Sequence, residues 1–95
     1  MDITLSGHTY EGVVLSRETY GDGSLALTLN DAHDEPVATV SAWLPVPPAE
    51  GCVWVKNYSE NAGVLEALLE AGLVDVTGRF QVSGFAVLHE AQVLV

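Results

Sequence analysis

The sequence predicts an α+β fold, a mostly antiparallel β-sheet with one amphipathic helix at about residues 58–71 packed on one face. Three observations carry this expectation. Apolar and polar residues alternate over short runs in the first half of the chain, the period that gives a strand one buried face. Glycine, proline and Asx clusters break those runs at short intervals, as tight turns do. Only one stretch, containing Val64, Leu65, Leu68 and Leu69, has the spacing of a helical stripe. With 95 residues the chain is one domain, 1–95, long enough for one packed core. Its 48% apolar and 17% charged composition is too hydrophobic for a disordered segment.

A β-branched, aromatic-containing run from Tyr10 to Arg17 leads to the turn signal Gly21-Asp22-Gly23. Ser24 to Asn30 then puts Leu25, Leu27 and Leu29 on one face and Ala26 and Thr28 on the other, which completes a hairpin. The polar segment Asp31-Ala32-His33-Asp34-Glu35-Pro36 makes the next connection, and Val37 to Trp43 is the third strand of a meander. Pro45, Pro47 and Pro48 stop the pairing, because proline lacks the ladder donor. Cys52 to Val55 resumes it briefly. Asn57 or Ser59 caps the helix, and Glu60 stands at capping-box spacing from Asn57. Gly72 supplies the left-handed C′ position, with Leu73 folding back on the last turn. Gly63 costs about 1 kcal/mol in a helix interior and marks close packing against the sheet. Leu73–Val76, Arg79–Val82, Phe85–Leu88 and Gln92–Val95 supply two or three further strands, with bends at Gly78 and Gly84.

Thirteen Asp and Glu against Arg17, Lys56 and Arg79 give a formal charge of −10. Three scattered cations cannot neutralise a run of phosphates, which excludes direct nucleic-acid binding and disfavours an anionic membrane surface. The acid either keeps an apolar protein soluble or forms a surface for a basic partner. The first residues carry no basic region and no apolar stretch, so the expectation is a cytoplasmic protein without signal peptide or membrane span. The lone Cys52 has no disulfide partner and reads as a small core residue.

No constellation for catalysis stands out, and the chain is read as a non-enzyme without cofactor. There is no nucleophile elbow, phosphate loop or Cys-His spacing. Asp31, His33, Asp34 and Glu35 group four potential ligands, but their spacing fits neither a calcium loop nor a zinc set, so the segment is a plain hairpin tip. His8, His33 and His89 are far apart in sequence. Glu66 and Glu70 sit one helical turn apart, opposite the apolar stripe, and no lysine or arginine shares the helix. Like charges at that spacing repel, and Glu70 also faces the negative end of the macrodipole. Both departures point to a solvated acidic face or to a binding surface.

From Ser24 onward several features recur in a specific order: Glu35-Pro36, a strand reaching Leu44-Pro45, then Lys56-Asn57-Tyr58-Ser59-Glu60-Asn61. Gly63, Leu68, Ala71-Gly72-Leu73-Val74, Thr77-Gly78-Arg79 and Gly84-Phe85 follow. This order resembles an uncharacterised family of short acidic proteins carried by bacterial plasmids, phages and other mobile genetic elements, over roughly the last three quarters of the chain. Asn57 and the pair Trp43-Leu44 depart from its pattern, where an Asp and a more polar strand end are expected. The resemblance implies a habitat and no established activity.

Together with the charge, it gives the expectation of a DNA mimic of the anti-CRISPR or antirestriction type. Such a protein binds a host protein or nucleoprotein complex with a basic groove. The expected contacts are Asp31, Asp34, Glu35, Tyr58, Glu60, Asn61, Glu66 and Glu70, with no catalytic residue and no metal. Tyr58 and Asn61 belong to this set through the helix start, although those residues read first as an elaborate cap with Tyr58 stapling the helix to the sheet. The alternative is a module that self-associates through a sheet edge or through Trp43, Trp54 and the proline segment, its acid serving solubility alone.

Overall fold

Gly21-Asp22-Gly23 forms the predicted turn between strands β3 (Val14–Thr19) and β4 (Leu25–Asn30). Gly23 takes the left-handed conformation at φ +85°, which side chains rarely adopt. The computed structural model describes all residues, 1–95. Leu27 and Leu29 are fully buried from β4, as their alternation requires. β5 (Pro36–Thr39) pairs antiparallel on the other side of β4, giving the order β3-β4-β5. Ahead of this sheet, β1 (Ile3–Leu5) and β2 (His8–Tyr10) form a separate short ribbon.

The third strand predicted over Val37 to Trp43 is not one strand. Val40 interrupts it, and Ser41–Ala42 (β6) belongs to a different sheet, with the order β6-β7-β9-β8. Here β7 is Cys52–Val55, β8 is Val74–Ser83 and β9 is Ala86–Val93, all antiparallel. Val40 is the corner. Its N–H donates to the Leu27 carbonyl on β4, while its own carbonyl accepts from the Lys56 N–H beyond β7. The predicted single sheet is therefore two main sheets wrapped about one core, because one face of nine strands in a chain this short must close on itself to be buried. The core gathers Ile3, Leu5, Val13, Leu27, Leu29, Val40, Val53, Val55, Val64, Leu65, Leu68, Val74 and Ala91.

The helix α1 is Val64–Glu70, shorter than 58–71, because Ser59–Asn61 forms a separate 3-10 turn. Its N-cap is Gly63, and no side chain of a neighbouring cap residue bonds to it. Asn57 still serves the helix from outside, accepting from the Leu65 N–H at 2.9 Å and donating to Glu66 Oε1 at 3.1 Å. An aspartate could accept from Leu65 but could not donate to Glu66. At the other end the predicted closure forms. Leu73 N–H donates to the Leu68 carbonyl and Gly72 N–H to that of Leu69, with Gly72 at φ +73°.

Of the last strands, two form. Gly84-Phe85 is the turn between β8 and β9, and Gly78 lies in a bulge inside β8. Val76 pairs with Ala91 and Phe80 with His89, so three residues, Thr77, Gly78 and Arg79, stand opposite Glu90 alone. Glu90 is 1% exposed, and the bulge surrounds its carboxylate. Thr77 Oγ1 donates to Oε1 at 2.6 Å, Arg79 reaches Oε2 at 3.3 Å, and the Ala49 N–H donates to Oε2 at 2.9 Å. That last bond ties the proline segment to the outer face of the sheet. Trp54, also buried, adds a bond from Nε1 to the Val46 carbonyl, and the Arg79 guanidinium lies 5.9 Å from its ring. Cys52 is buried beside this cluster, and burial pushes its thiol upward from its ordinary value.

Burial by itself raises the Glu90 carboxyl, but the Thr77 hydroxyl, the Ala49 N–H and the Arg79 charge outweigh it and hold it below its ordinary 4.5. The folded state thus binds its proton less readily than the unfolded chain. The stability this supplies is complete above about pH 4.5 and is lost as pH falls through the folded value. Glu90→Ala is expected to cost about 3 kcal/mol by leaving Arg79, Thr77 and the Ala49 N–H without their partner. Urea unfolding followed by Trp54 fluorescence at pH 7 and pH 3 checks both statements. Glu90→Gln should lose less stability than the native protein on acidification, and equal losses would remove Glu90 as the cause.

A candidate acidic interface

Of the thirteen Asp and Glu, only Glu90 is buried. The three cations are all engaged away from α1's outer face. Arg79 pairs with Glu90, Lys56 lies 3.9 Å from Glu60, and the Arg17 guanidinium donates to the Val95 carbonyl. Lys56 thereby offsets Glu60, the i,i+4 partner that the sequence placed in a capping box.

The expected contacts fall into three groups. Asp31, Asp34 and Glu35 form the β4–β5 turn. Asp31 Oδ1 accepts from the N–H groups of His33 and Glu35 at 2.8 and 3.0 Å, while Asp34 adopts a left-handed φ of +63°. The Glu35 and His33 N–H groups hold the Asp31 carboxyl below its ordinary 3.8. Glu66 and Glu70 are exposed on α1. Tyr58, Glu60 and Asn61 surround the 3-10 turn, and here the three differ. Tyr58 and Glu60 are exposed, whereas Asn61 is buried and donates from Nδ2 to the Thr39 carbonyl at 2.7 Å. Asn61 is an internal tie between the turn and β5, out of reach of any partner.

Two residues outside this set join the groups. Asp2 shares a shallow groove with Glu70, lined by Met1, Asp2, Ala67, Glu70 and Ala71. Asp2 Oδ1 also accepts from the Gly12 N–H at 3.1 Å, which places Glu11 beside it. Gly12 in turn lies against the β4–β5 turn, where a β-carbon on it would stand 3.4 Å from that of Ala32. Glu66, Glu70, Asp2, Glu11 and the Asp31–Glu35 turn therefore form one acidic band, and none of its carboxylates takes part in a salt bridge with Lys or Arg. The Met1 amino group beside Asp2 is bonded to the Val13 carbonyl, and Val13 N–H donates back to Met1. Asp2 and Glu11 carry no signal in sequence, because only tertiary contacts, Thr4 against Gly63 and Ser6 bonded to Ala62 and Ser59, bring the first residues against the helix.

Gly63 seats the helix on this band. It has φ +98°, and a β-carbon there would meet the Thr4 carbonyl oxygen of β1 at 3.0 Å. The close packing predicted for Gly63 is thus against β1, one step before the helix begins. The Ser6 N–H and hydroxyl add bonds to the Ala62 and Ser59 carbonyls.

A second surface lies at the β3–β4 turn. Asp22 accepts from Ser24 Oγ at 2.6 Å, from Trp43 Nε1 at 2.9 Å and from the Ser24 N–H at 2.9 Å, which brings its carboxyl down to about 2. Trp43 stays 53% exposed, while Trp54 is interior. Of the two tryptophans expected to mediate contacts, only Trp43 reaches the surface. The three histidines stay apart: the His8 ring lies 4.5 Å from that of Tyr10, tilted by 55°, His33 is at the β4–β5 turn and His89 lies on β9 against Phe80. No three His, Cys, Asp or Glu side chains are grouped to hold a metal ion, and no helix is long and apolar enough to cross a membrane.

Gly63→Ala is expected to lower stability by about 2 kcal/mol, because alanine is strained at this φ and crowds Thr4. Chemical denaturation measures it, and a loss no larger than that of Gly72→Ala would show that the Thr4 contact adds nothing. No protein-family model, curated protein or solved structure matches the chain.

Proposed function

We propose that this protein is an acidic binding module of a mobile genetic element that occupies a basic, nucleic-acid-binding groove on a host protein or nucleoprotein complex. The reading is that of a DNA mimic of the anti-CRISPR or antirestriction type, acting by binding without catalysis. One observation carries it: Glu66 and Glu70, Asp2 and Glu11, and the Asp31–Glu35 turn follow one another over adjoining segments, and none of their carboxylates is paired with Lys or Arg, the Met1 amino group among them being bonded to the Val13 carbonyl. Carboxylates that only confer solubility need no such continuity. A row of fixed negative charge is what a groove lined by lysine and arginine recognises in a nucleic-acid backbone.

The rigidity of the band supports the same reading. Asp31 is held by two backbone N–H groups, Asp2 by Gly12 and Glu66 by Asn57, so these carboxylates meet a partner already positioned. Asn61 has no part in this surface. The first-turn charge of Glu66 is favourable at the helix N-terminus, whereas Glu70 near the C-terminus is tolerated at a small cost in helix stability.

A tagged protein expressed in a bacterial host is expected to capture a basic nucleic-acid-binding protein at low salt and to release it in half-molar salt, where screening shortens the reach of charge to a few ångströms. Reversal of Glu66 and Glu70 to lysine should weaken capture at least roughly tenfold. Asp2→Lys should weaken it further, although Asp2 lies on a different element. Capture that survives both high salt and charge reversal would end the mimicry reading.

A further inference from the structure

The β8–β9 hairpin extends past the sheet that carries it. β7 pairs with β9 only from His89 to Gln92, so Gln81–Ser83 and Ala86–Leu88 have each other and no third strand. β8 is an edge strand throughout, with no neighbour on its far side. On this arm Phe80 pairs with His89 and Val82 with Val87, and these side chains share the face on which Val55 and Ala91 enter the core. The core face thus continues outward uncovered. Phe80 is 57% and Val82 64% exposed, and Phe85 at the turn is fully exposed.

We propose that the free edge of this arm is paired with the same arm of a second copy, in an antiparallel dimer that joins β8 to β8 about a twofold axis through Gln81. Three observations select a second copy. The first is charge: Phe80 to His89 contains no Asp, Glu, Lys or Arg in a chain of net charge −10. β8 begins at Val74, just past the end of α1, and its strand leads away from Glu70 towards Phe85. Arm-to-arm contact therefore sets no acidic side chain of one arm against the other, so the pairing avoids direct contact between like charges.

The second is the hydrogen-bonding register. Gly84, φ +61°, and Phe85 form a two-residue turn closed by Ser83 and Ala86. In such a hairpin the closing pair exchanges both bonds, and the alternation then directs the N–H and C=O of Val82 and Phe80 to the free edge. An axis through Gln81 places Phe80 opposite Val82 of the second copy and Val82 opposite its Phe80. Every outward group on this stretch finds a partner, and the apolar side chains meet across the strands. The third is area. Phe80, Val82, Phe85, Val87 and Val76 expose on the order of 600 Å² per copy, of which edge pairing buries only the part beside the second strand, below the roughly 800 Å² per partner of a standard interface. The dimer is accordingly a reversible one.

The test is sedimentation or light scattering over a concentration series, with a cysteine cross-link to fix the register. The native protein should reach dimer mass. Val82→Glu should raise the dissociation constant at least roughly tenfold by placing like charges near the axis, with unchanged circular dichroism because Val82 is exposed. Gln81 of each copy occupies a non-hydrogen-bonded pair with Cα atoms about 4.5 Å apart, within disulfide reach. Gln81→Cys should therefore oxidise to a covalent dimer, while Ser83→Cys should not; the buried Cys52 keeps the background low. Raised salt should preserve the dimer even where it abolishes capture by the acidic band, so the two surfaces fail independently. A protein monomeric at every concentration overturns the proposal, as does a dimer indifferent to Val82→Glu. A monomer that floats with phosphatidylcholine vesicles would equally overturn it, assigning the arm to a lipid surface.

Discussion

Val40 is bonded to both main sheets at once, and the rest of the structure depends on that junction. Its N–H reaches Leu27 on one side and its carbonyl receives Lys56 on the other, so the strand on which it lies leaves β4 and enters pairing with β7 within a single residue. Ser41 strengthens the corner, its hydroxyl accepting from the Leu27 N–H and bonding to the Tyr20 hydroxyl. A straight strand from Val37 to Trp43 would leave one face of each sheet open to water. The turn at Val40 lets Leu27, Leu29, Val53 and Val55 meet in one core, and the buried apolar area supplies most of the favourable free energy. The helix then covers what remains, with Val64, Leu65 and Leu68 inward.

The outer face of the larger sheet is organised differently, around charge. Glu90 is surrounded by donors from three parts of the chain, and the Thr77-Gly78-Arg79 bulge exists in the register needed to bring two of them to it. The three residues of the bulge each have a part in this. Their local role here is structural: a threonine donor, a glycine at φ +92° that admits the bulge, and an arginine that supplies the counter-charge. A buried carboxylate without these partners would be strongly unfavourable. Arg79, one of only three cations, is thereby withdrawn from the balance of the surface. The same holds in weaker form for Lys56 beside Glu60.

The withdrawal of cations shapes what the surface can do. The acidic band and the uncharged β8–β9 arm share no residue. One presents carboxylates already positioned by hydrogen-bond donors; the other presents apolar side chains on an unpaired edge. Proteins commonly protect such an edge with charge or proline, and none stands between Phe80 and His89.

Much of the architecture was determined by the sequence alone. Alternation assigned the buried leucines of β4, the Gly-rich clusters placed the β3–β4 and β8–β9 turns, and Gly72-Leu73 marked the helix end, because each depends on backbone preferences acting over a few residues. The carboxylates of α1 and of the β4–β5 turn were equally legible as exposed acid. Tertiary structure alone decided that Val40 divides one predicted strand between two sheets, since its two hydrogen bonds go to partners 13 and 16 residues away in the chain. It also drew Gly63 against Thr4 just before the helix begins and placed Asn61 inside, where Thr39 takes its amide. The proximity of the acidic residues has the same origin: Asp2 and Glu11 come between Glu70 and the distant turn only once the β1–β2 ribbon has docked beside the helix, and no local pattern encodes a contact of that kind.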